Sequence, residues 1–300
     1  MPSLIDLRRR IRSVKNIQQI TRAMKMVAAA RLRRAQERIV AARPYAEALR
    51  EVVGNLSSRA GERGHPLLDH RDVKRTLLVV VTGDKGLAGA FNTNVIRRAR
   101  QEIAATSEVD LMLIGRRGAD FFRRRSSRIR SSHTTVFAKV TFEGAAEIAR
   151  EITAAFTARD YDAVHVVYNQ FISVINQKLT VERLLPLQAG AQAAPASTAH
   201  AGAGAGAGHG GGQALDYIFE PSASEILDRL VPSYVSTQVH RILLDSQAAN
   251  YAAQMTAMEA ATKNAGELID RLKLTYNRSR QAAITKELIE IVSGAQAIKG

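Results

Sequence analysis

From Leu4 onward the apolar positions recur at steps of three and four. Leu4, Leu7, Ile11, Val14, Ile17, Ile20, Met24 and Val27 fall on one side of a helix, and the helical pattern continues to about Arg59. Ser3 stands where an N-cap belongs, with Asp6 three residues on, and Pro44 predicts a local kink rather than an end. At about 1.5 Å per residue such a helix runs about 80 Å. The middle of the chain changes period. TLLVVVTG (76–83), VDLMLIG (109–115) and YDAVHVVYN (161–169) are short apolar runs of strand type, separated by helical patterns around 92–105 and 143–159. Asn92 is the expected N-cap of the first of these helices. The alternation predicts a parallel sheet covered on both faces, and FISVINQKLTVERLLPL (171–187) predicts a further strand or a hairpin.

After EPSAS (220–224) a second long helix is expected to about Ser293, with Pro232 as its candidate interruption and Gly294 as its C-cap glycine. Its stripe begins bulky, with Ile226, Leu230, Val235, Val239 and Ile242. It then thins to Ala249, Ala253, Ala257, Ala260 and Ala261, which would let a second helix or a surrounding wall approach closely. Two such helices, one at each end of the chain, bury their stripes by pairing. The expected fold is therefore α/β: two long terminal helices forming an antiparallel coiled coil, with a central Rossmann-like α/β domain between them. The expected divisions are 1–59 (first helix), 75–187 (α/β domain), 188–213 (an Ala/Gly-rich flexible insertion), 214–219 (end of the α/β domain) and 220–300 (second helix).

Charge sharpens this picture. The net charge is +15, and residues 1–50 hold thirteen Lys or Arg against three carboxylates, which leaves only +5 for the rest. The basicity is thus expected to belong to one segment. From Leu7 to Gln36, a stretch that includes ITRAMKMVAAARLRRAQ, there is no Asp or Glu, so an acidic surface is the expected partner. With no Cys, disulfides, thiolate metal ligands and thiol switches are excluded. No apolar run reaches the roughly 18 residues of a membrane span, and the N-terminus is too charged for a signal peptide, so a soluble chain is expected.

Candidate chemistry is sparse. Gly83, Gly86 and Gly89 follow a strand and Lys85 offers a charge, but the spacing is neither GxGxxG nor GxxxxGK[ST], so a plain strand-to-helix turn is the better reading. The seven His are scattered, with His200 and His209 in the Ala/Gly stretch, and no Ser/His/Asp or paired-carboxylate set stands out. No cofactor and no catalytic role are expected. A basic-helix nucleic-acid-binding protein is one rival reading, but the first 44 residues contain no Phe, Tyr or Trp to stack on bases. A nucleotide-dependent α/β enzyme is the other, and it lacks the phosphate fingerprint.

Four stretches carry a resemblance: RIRSVKNIQQITRAMKMVAAARLRRAQ (10–36), GDKGLAGAFN (83–92), DYIFEPS (216–222) and MEAATKNAGELIDRLKLTYNRSRQAAITKELIEIVSGAQAI (258–298). Over almost the whole chain apart from the Ala/Gly stretch, the sequence resembles the gamma subunits of bacterial F-type ATP synthases. The resemblance implies a central rotor shaft coupling proton flow through the c-ring to ATP synthesis or hydrolysis. It also implies peripheral attachment at the cytoplasmic face of the plasma membrane, indirectly through the complex. The implied partners are the alpha and beta subunits, the epsilon subunit and the c-ring, with no nucleic acid. By the same resemblance Arg280, Gln281 and Thr285 would bond the catch loop of a catalytic subunit, and Met24 and Lys25 would lie in the same bearing region on the opposite helix. Arg31, Arg33 and Arg34 would face acidic loops of the catalytic subunits. Tyr217 and Glu220 would meet the c-ring and epsilon. Gln254 stands where many relatives have Arg, which implies a weaker contact there, and Ala88 stands where Cys is common.

Overall fold

A computed structural model of the chain describes residues 3–59, 65–106, 108–125, 128–137, 139–187 and 223–299. The Ala/Gly stretch, Tyr217 and Glu220 lie outside the described residues. Internal contacts divide the chain into two units, residues 1–29 with 254–300, and residues 30–253.

Two helices contribute to both units: α1 (Leu4–Arg59) and α5 (Ala223–Lys299). Neither proline breaks its helix. Pro44 and Pro232 are both exposed, so each ring is carried on the solvent side of its helix. Gly294 does not end α5 either, which continues to Lys299 instead of stopping near Ser293.

In the unit formed by 1–29 and 254–300 the helices pair antiparallel. Arg8 reaches Tyr276 (2.8 Å), Thr262 Oγ1 donates to Thr21 Oγ1 (2.8 Å), and Lys25 Nζ meets Glu259 (2.6 Å), so position rises on one helix as it falls on the other. A line of sheltered positions runs through Leu4, Leu7, Ile11, Val14, Gln18, Thr21, Lys25 and Ala28 on α1, and another through Met258, Thr262, Ala265, Ile269, Leu272, Tyr276, Ser279 and Ala283 on α5. The alternating steps of three and four are the 3.5-residue repeat of a left-handed coiled coil. This corrects the expected stripe. After Val14 the seam passes through Gln18, Thr21 and Lys25, and Ile17, Ile20, Met24 and Val27 lie outside it. The partner explains the choice, since α5 supplies Thr262 and Glu259 opposite, which hydrogen bond to polar α1 residues but would leave apolar ones facing polar atoms.

The unit of residues 30–253 is a doubly wound sheet. Its strands are β1 (Arg75–Val81), β2 (Glu108–Ile114), β3 (Ile129–His133), β4 (Ala163–Phe171) and β5 (Gln177–Leu185), in the order β3-β2-β1-β4-β5. The first four are parallel, and β5 turns back antiparallel on β4 as the expected hairpin. Because β1 is buried along almost its whole length on both faces, it reads as an unbroken apolar run, RTLLVVV. On one face α2 (Phe91–Ala105) and α3 (Arg116–Arg123) pack Val95, Ile96, Ala99, Ala119 and Phe122 against Leu78, Val80, Leu111 and Leu113. On the other face Leu77, Val79, Val81, Met112 and Ile114 meet α4 (Phe142–Thr157), the 49–56 stretch of α1 and the 227–249 stretch of α5. Along those stretches Leu32 and Ala35 also pack with Ala248 and Ala252, where the thin stripe brings two helices close. Thr141 caps α4 by accepting the Gly144 N–H at 3.3 Å.

Candidate interaction surfaces

In the paired-helix unit the chain presents apolar side chains outward. Ile17, Ile20, Met24 and Val27 are 50%, 58%, 37% and 51% exposed, while Gln18, Thr21 and Lys25 are sheltered in the seam beside them. Polar groups inside and apolar groups outside are the reverse of a free-standing coiled coil, and an apolar row left in water marks a surface to be covered. Beyond Ala283 every described side chain of α5 is exposed, including Ile284, Leu288, Ile289, Ile291 and Val292. The end of α5 is therefore an exposed, largely apolar tip as far as its side chains are described, to Gly294.

Among the described residues the candidates are spread along α1 and α5. Lys25 is held by its ion pair with Glu259 on α5, next to the outward Met24. Arg280 and Gln281 are exposed about 30 Å further along α5 than Glu259, and Thr285 Oγ1 donates to the Gln281 carbonyl at 3.0 Å. Gln254 is half-buried and engaged by a neighbour. In the sheet-containing unit, the Arg31 guanidinium sits 6.0 Å from the centre of the Tyr251 ring, Arg33 pairs with Glu37 at 3.3 Å, and Arg34 is exposed.

The glycine-containing turn after β1 is filled by its own neighbours. Asn92 is not the cap of α2, which follows Ala90; its Oδ1 accepts the Gly83 N–H at 2.8 Å, and its amide reaches the Lys85 carbonyl. Asp84 accepts the Arg116 N–H at 3.1 Å, and burial pushes its carboxyl above the ordinary value despite that bond. A Cβ on Gly86 would come 2.6 Å from the Arg117 guanidinium. The glycines thus make room for side chains of this chain, as a close-packed turn requires.

Two features were not anticipated from the sequence. The first is a polar knot between α5 and the β4–β5 hairpin. Arg241 donates to Glu182 (2.5 Å), to Gln238 Oε1 (2.9 Å) and to Tyr168 Oη (3.4 Å), and the Tyr168 hydroxyl donates to Glu182 at 2.7 Å. Asp245 lies 3.7 Å from the same guanidinium. Burial pushes its carboxyl up to about 6, with Arg241 and Arg43 pulling it down and Glu182 pushing it further up. No linear spacing marks this group, since its members come from two strands and a helix. The second is a concentration of arginine on α2 and α3. It corrects the expectation that the basicity belongs to the N-terminal segment alone, because the +5 of the remaining residues hides a local excess.

Paired terminal helices with an outward apolar row, enclosing in sequence a doubly wound domain, define a chain of the subunit type, built to be covered by others. A family model described as ATP synthase matches residues 3–298. An ATP synthase gamma chain of Solibacter usitatus (strain Ellin6076) is 50% identical over 303 residues, covering 99% of each chain. One of Pelotomaculum thermopropionicum is 44% identical over 300 residues, covering 100% of each. The chain belongs to the ATP synthase gamma chain family. It shares its fold with a chain in a Euglena gracilis mitochondrial ATP synthase structure, OSCP/F1/c-ring in rotational state 3 (TM-score 0.68, 19% identity, 98% and 94% of the two chains covered). A chain of the Tetrahymena thermophila mitochondrial ATP synthase central stalk/c-ring matches with TM-score 0.61, 24% identity and 81% and 99% coverage.

Proposed function

We propose that this chain is the central rotor shaft of an F-type ATP synthase and supplies no catalytic group itself. It couples ion flow through a c-ring to ATP synthesis or hydrolysis in a ring of alpha and beta subunits, and binds epsilon near its foot. The reading is supported by full-length similarity to gamma chains, one of them 50% identical. The observation that carries it is the inverted stretch of α1, where Ile17, Ile20, Met24 and Val27 face outward beside a polar seam. A single shaft inside a threefold ring presents a different side to each catalytic site, so each site is biased to a different affinity, and turning passes the three states around. No helix among the described residues is long and apolar enough to cross a membrane. By the rotor reading, the chain is a peripheral component at the cytoplasmic face of the bacterial plasma membrane, held there by its partners.

Under this reading 1–59 and 220–300 form the shaft, 75–187 with 214–219 the α/β domain, and 188–213 an insertion. Met24, Arg31, Arg33 and Arg34 offer α1 to the catalytic subunits, with Lys25 bracing Met24 through Glu259. Gln254, Arg280, Gln281 and Thr285 offer α5 to the same subunits at other heights, and Tyr217 with Glu220 serves the foot. The test compares ATPase rate with ATP-driven acidification on the same membrane vesicles. Met24→Lys puts a charge into the apolar row and is expected to leave hydrolysis present while pumping per ATP falls several-fold. Arg33→Glu with Arg34→Glu is expected to reduce complex or turnover modestly, since exposed ion pairs contribute only about 0.2–1 kcal/mol each. A Met24→Lys enzyme with its full pumping-to-hydrolysis ratio would refute the reading.

A further inference from the structure

Residues 91–130 contain ten arginines, no lysine and four carboxylates. Eight of the ten lie on α2, on α3 or in the turn just after α3, and because these two helices cover the same face of the sheet that charge is gathered on one side of the domain, whereas Arg130 on β3 pairs with Asp160 at 3.0 Å. Two of the four carboxylates are engaged there, Glu102 with Arg98 at 2.7 Å and Asp120 with Arg116 at 3.7 Å. A third, Asp110, sits on β2 and accepts the Tyr161 hydroxyl. Arg97, Arg100, Arg117, Arg123, Arg124 and Arg128 are exposed, and none has a carboxylate within ion-pair distance among the described residues. Arg125 lies over the Phe121 ring at 4.2 Å, which keeps that ring covered.

We propose that the α2/α3 face is a docking surface for anionic phospholipid headgroups. The exclusive use of arginine fits phosphate, which a planar guanidinium meets with two parallel N–H bonds and an ammonium meets as a point charge. A folded protein partner is disfavoured by the apolar content of the face. Among its described residues no large apolar side chain is exposed, whereas stable protein interfaces gather aromatic and aliphatic groups at their centre. Bases of single-stranded nucleic acid would need exposed aromatic rings to stack on, and here Phe122 is buried while Phe121 is half-buried with the Arg125 guanidinium over its ring. What remains is a surface held by charge alone, and a fluid sheet of phosphates can supply that at any lateral position. The inference rests on the rotor reading only in that the reading brings the chain beside a membrane. Attraction to headgroups would then be an adhesion that yields as the chain turns.

The chain has no Cys, so one introduced thiol reports one place. The test attaches a fluorophore to the full chain through Gln101→Cys on α2, or through Glu147→Cys on α4 on the opposite face of the sheet. Vesicles of equal parts phosphatidylcholine and phosphatidylglycerol, carrying a headgroup quencher, are then added. Quenching at position 101 is expected to exceed that at 147 severalfold, to vanish in molar salt, and to be absent with phosphatidylcholine alone. Arg123→Gln, Arg124→Gln and Arg128→Gln together should raise the vesicle concentration needed about tenfold or more, while the three Lys replacements should restore most of the binding. Folding of each variant is checked by its helical circular dichroism. Because vesicle docking is read on the chain alone, its failure and a failure of coupling in the assembled enzyme are separate results. Equal quenching at the two positions would overturn the proposal, as would a triple Gln variant indistinguishable from the parent. So would duplex DNA occupying position 101 at lower phosphate concentration than the vesicles.

Discussion

The two units use their sequence in opposite ways. In the sheet-containing unit the largest apolar groups point inward: Leu77, Val80, Ile148 and Phe156 are all at or below 1% exposure, and polar groups admitted to the interior are tied into a knot around Arg241. In the paired-helix unit the interior seam accepts Gln18, Thr21 and Lys25, and Ile17, Ile20 and Val27 are left to solvent. The difference separates two sources of stability. One unit is stabilised by its own burial, and the other is arranged so that much of its apolar surface is buried only when another chain covers it.

The largest expected effect lies in the self-sufficient unit. Phe156→Ala removes a fully buried ring of α4 from the main cluster and should cost about 3–5 kcal/mol, read as a lower urea midpoint by circular dichroism. If it costs no more than an exposed substitution, the contrast between the units is wrong. Smaller and pH-dependent is the effect of Asp245. Its folded pKa of about 6 lies above the unfolded value near 4, so the folded state binds the extra proton. Its contribution is therefore fully present below about pH 4 and is lost as pH rises through about 6, by about 2–3 kcal/mol at most. Asp245→Asn should flatten stability across that window, and an unchanged slope would remove the buried carboxylate from the explanation. The smallest effect belongs to the seam. Thr262→Val should cost about 1 kcal/mol by removing the bond that Thr21 Oγ1 accepts and setting a methyl against that oxygen, which keeps only its own bond to the Gln18 carbonyl, whereas Thr21→Val with Thr262→Val should be close to neutral or stabilising. A double variant as weak as the sum of both singles would mean that the polar layer contributes more than pairing.

The same contrast governs how much could be read from sequence. The sheet was legible because β1, β2 and β4 are apolar runs with no competing pattern, and α4 has a clear stripe bounded by a Thr cap. Strand β3, IRSSH, escaped because five residues carrying one apolar side chain give no alternation to detect, and α3 escaped because half of its eight residues are glycine or arginine. The α1 seam was misassigned between Val14 and Ala28 since periodicity counts apolar residues, whereas the choice of buried face depended on Thr262 and Glu259, more than two hundred positions away. Asn92 stands near a helix start, as its residue type suggests, but not as the cap, because its side chain accepts from the Gly83 N–H instead. Among the described residues, the candidate contact residues drawn from family resemblance are spread along α1 and α5, a fact that spacing across two distant segments does not encode.

The last turns of α5 have a thermodynamic consequence. Past Ala283 the helix continues to Lys299 with no partner strand of the coil beside its described side chains, so its backbone bonds are shielded by nothing but their own geometry. A lone segment of this length is close to the limit at which a helix holds together in water, because nucleation is costly and each added bond returns little. Its amide protons should therefore exchange with solvent much faster than those of the α4 core in the free chain, and slow sharply once a wall closes around Ile284, Leu288 and Val292. Seating the end of this helix and completing its secondary structure are then a single coupled equilibrium.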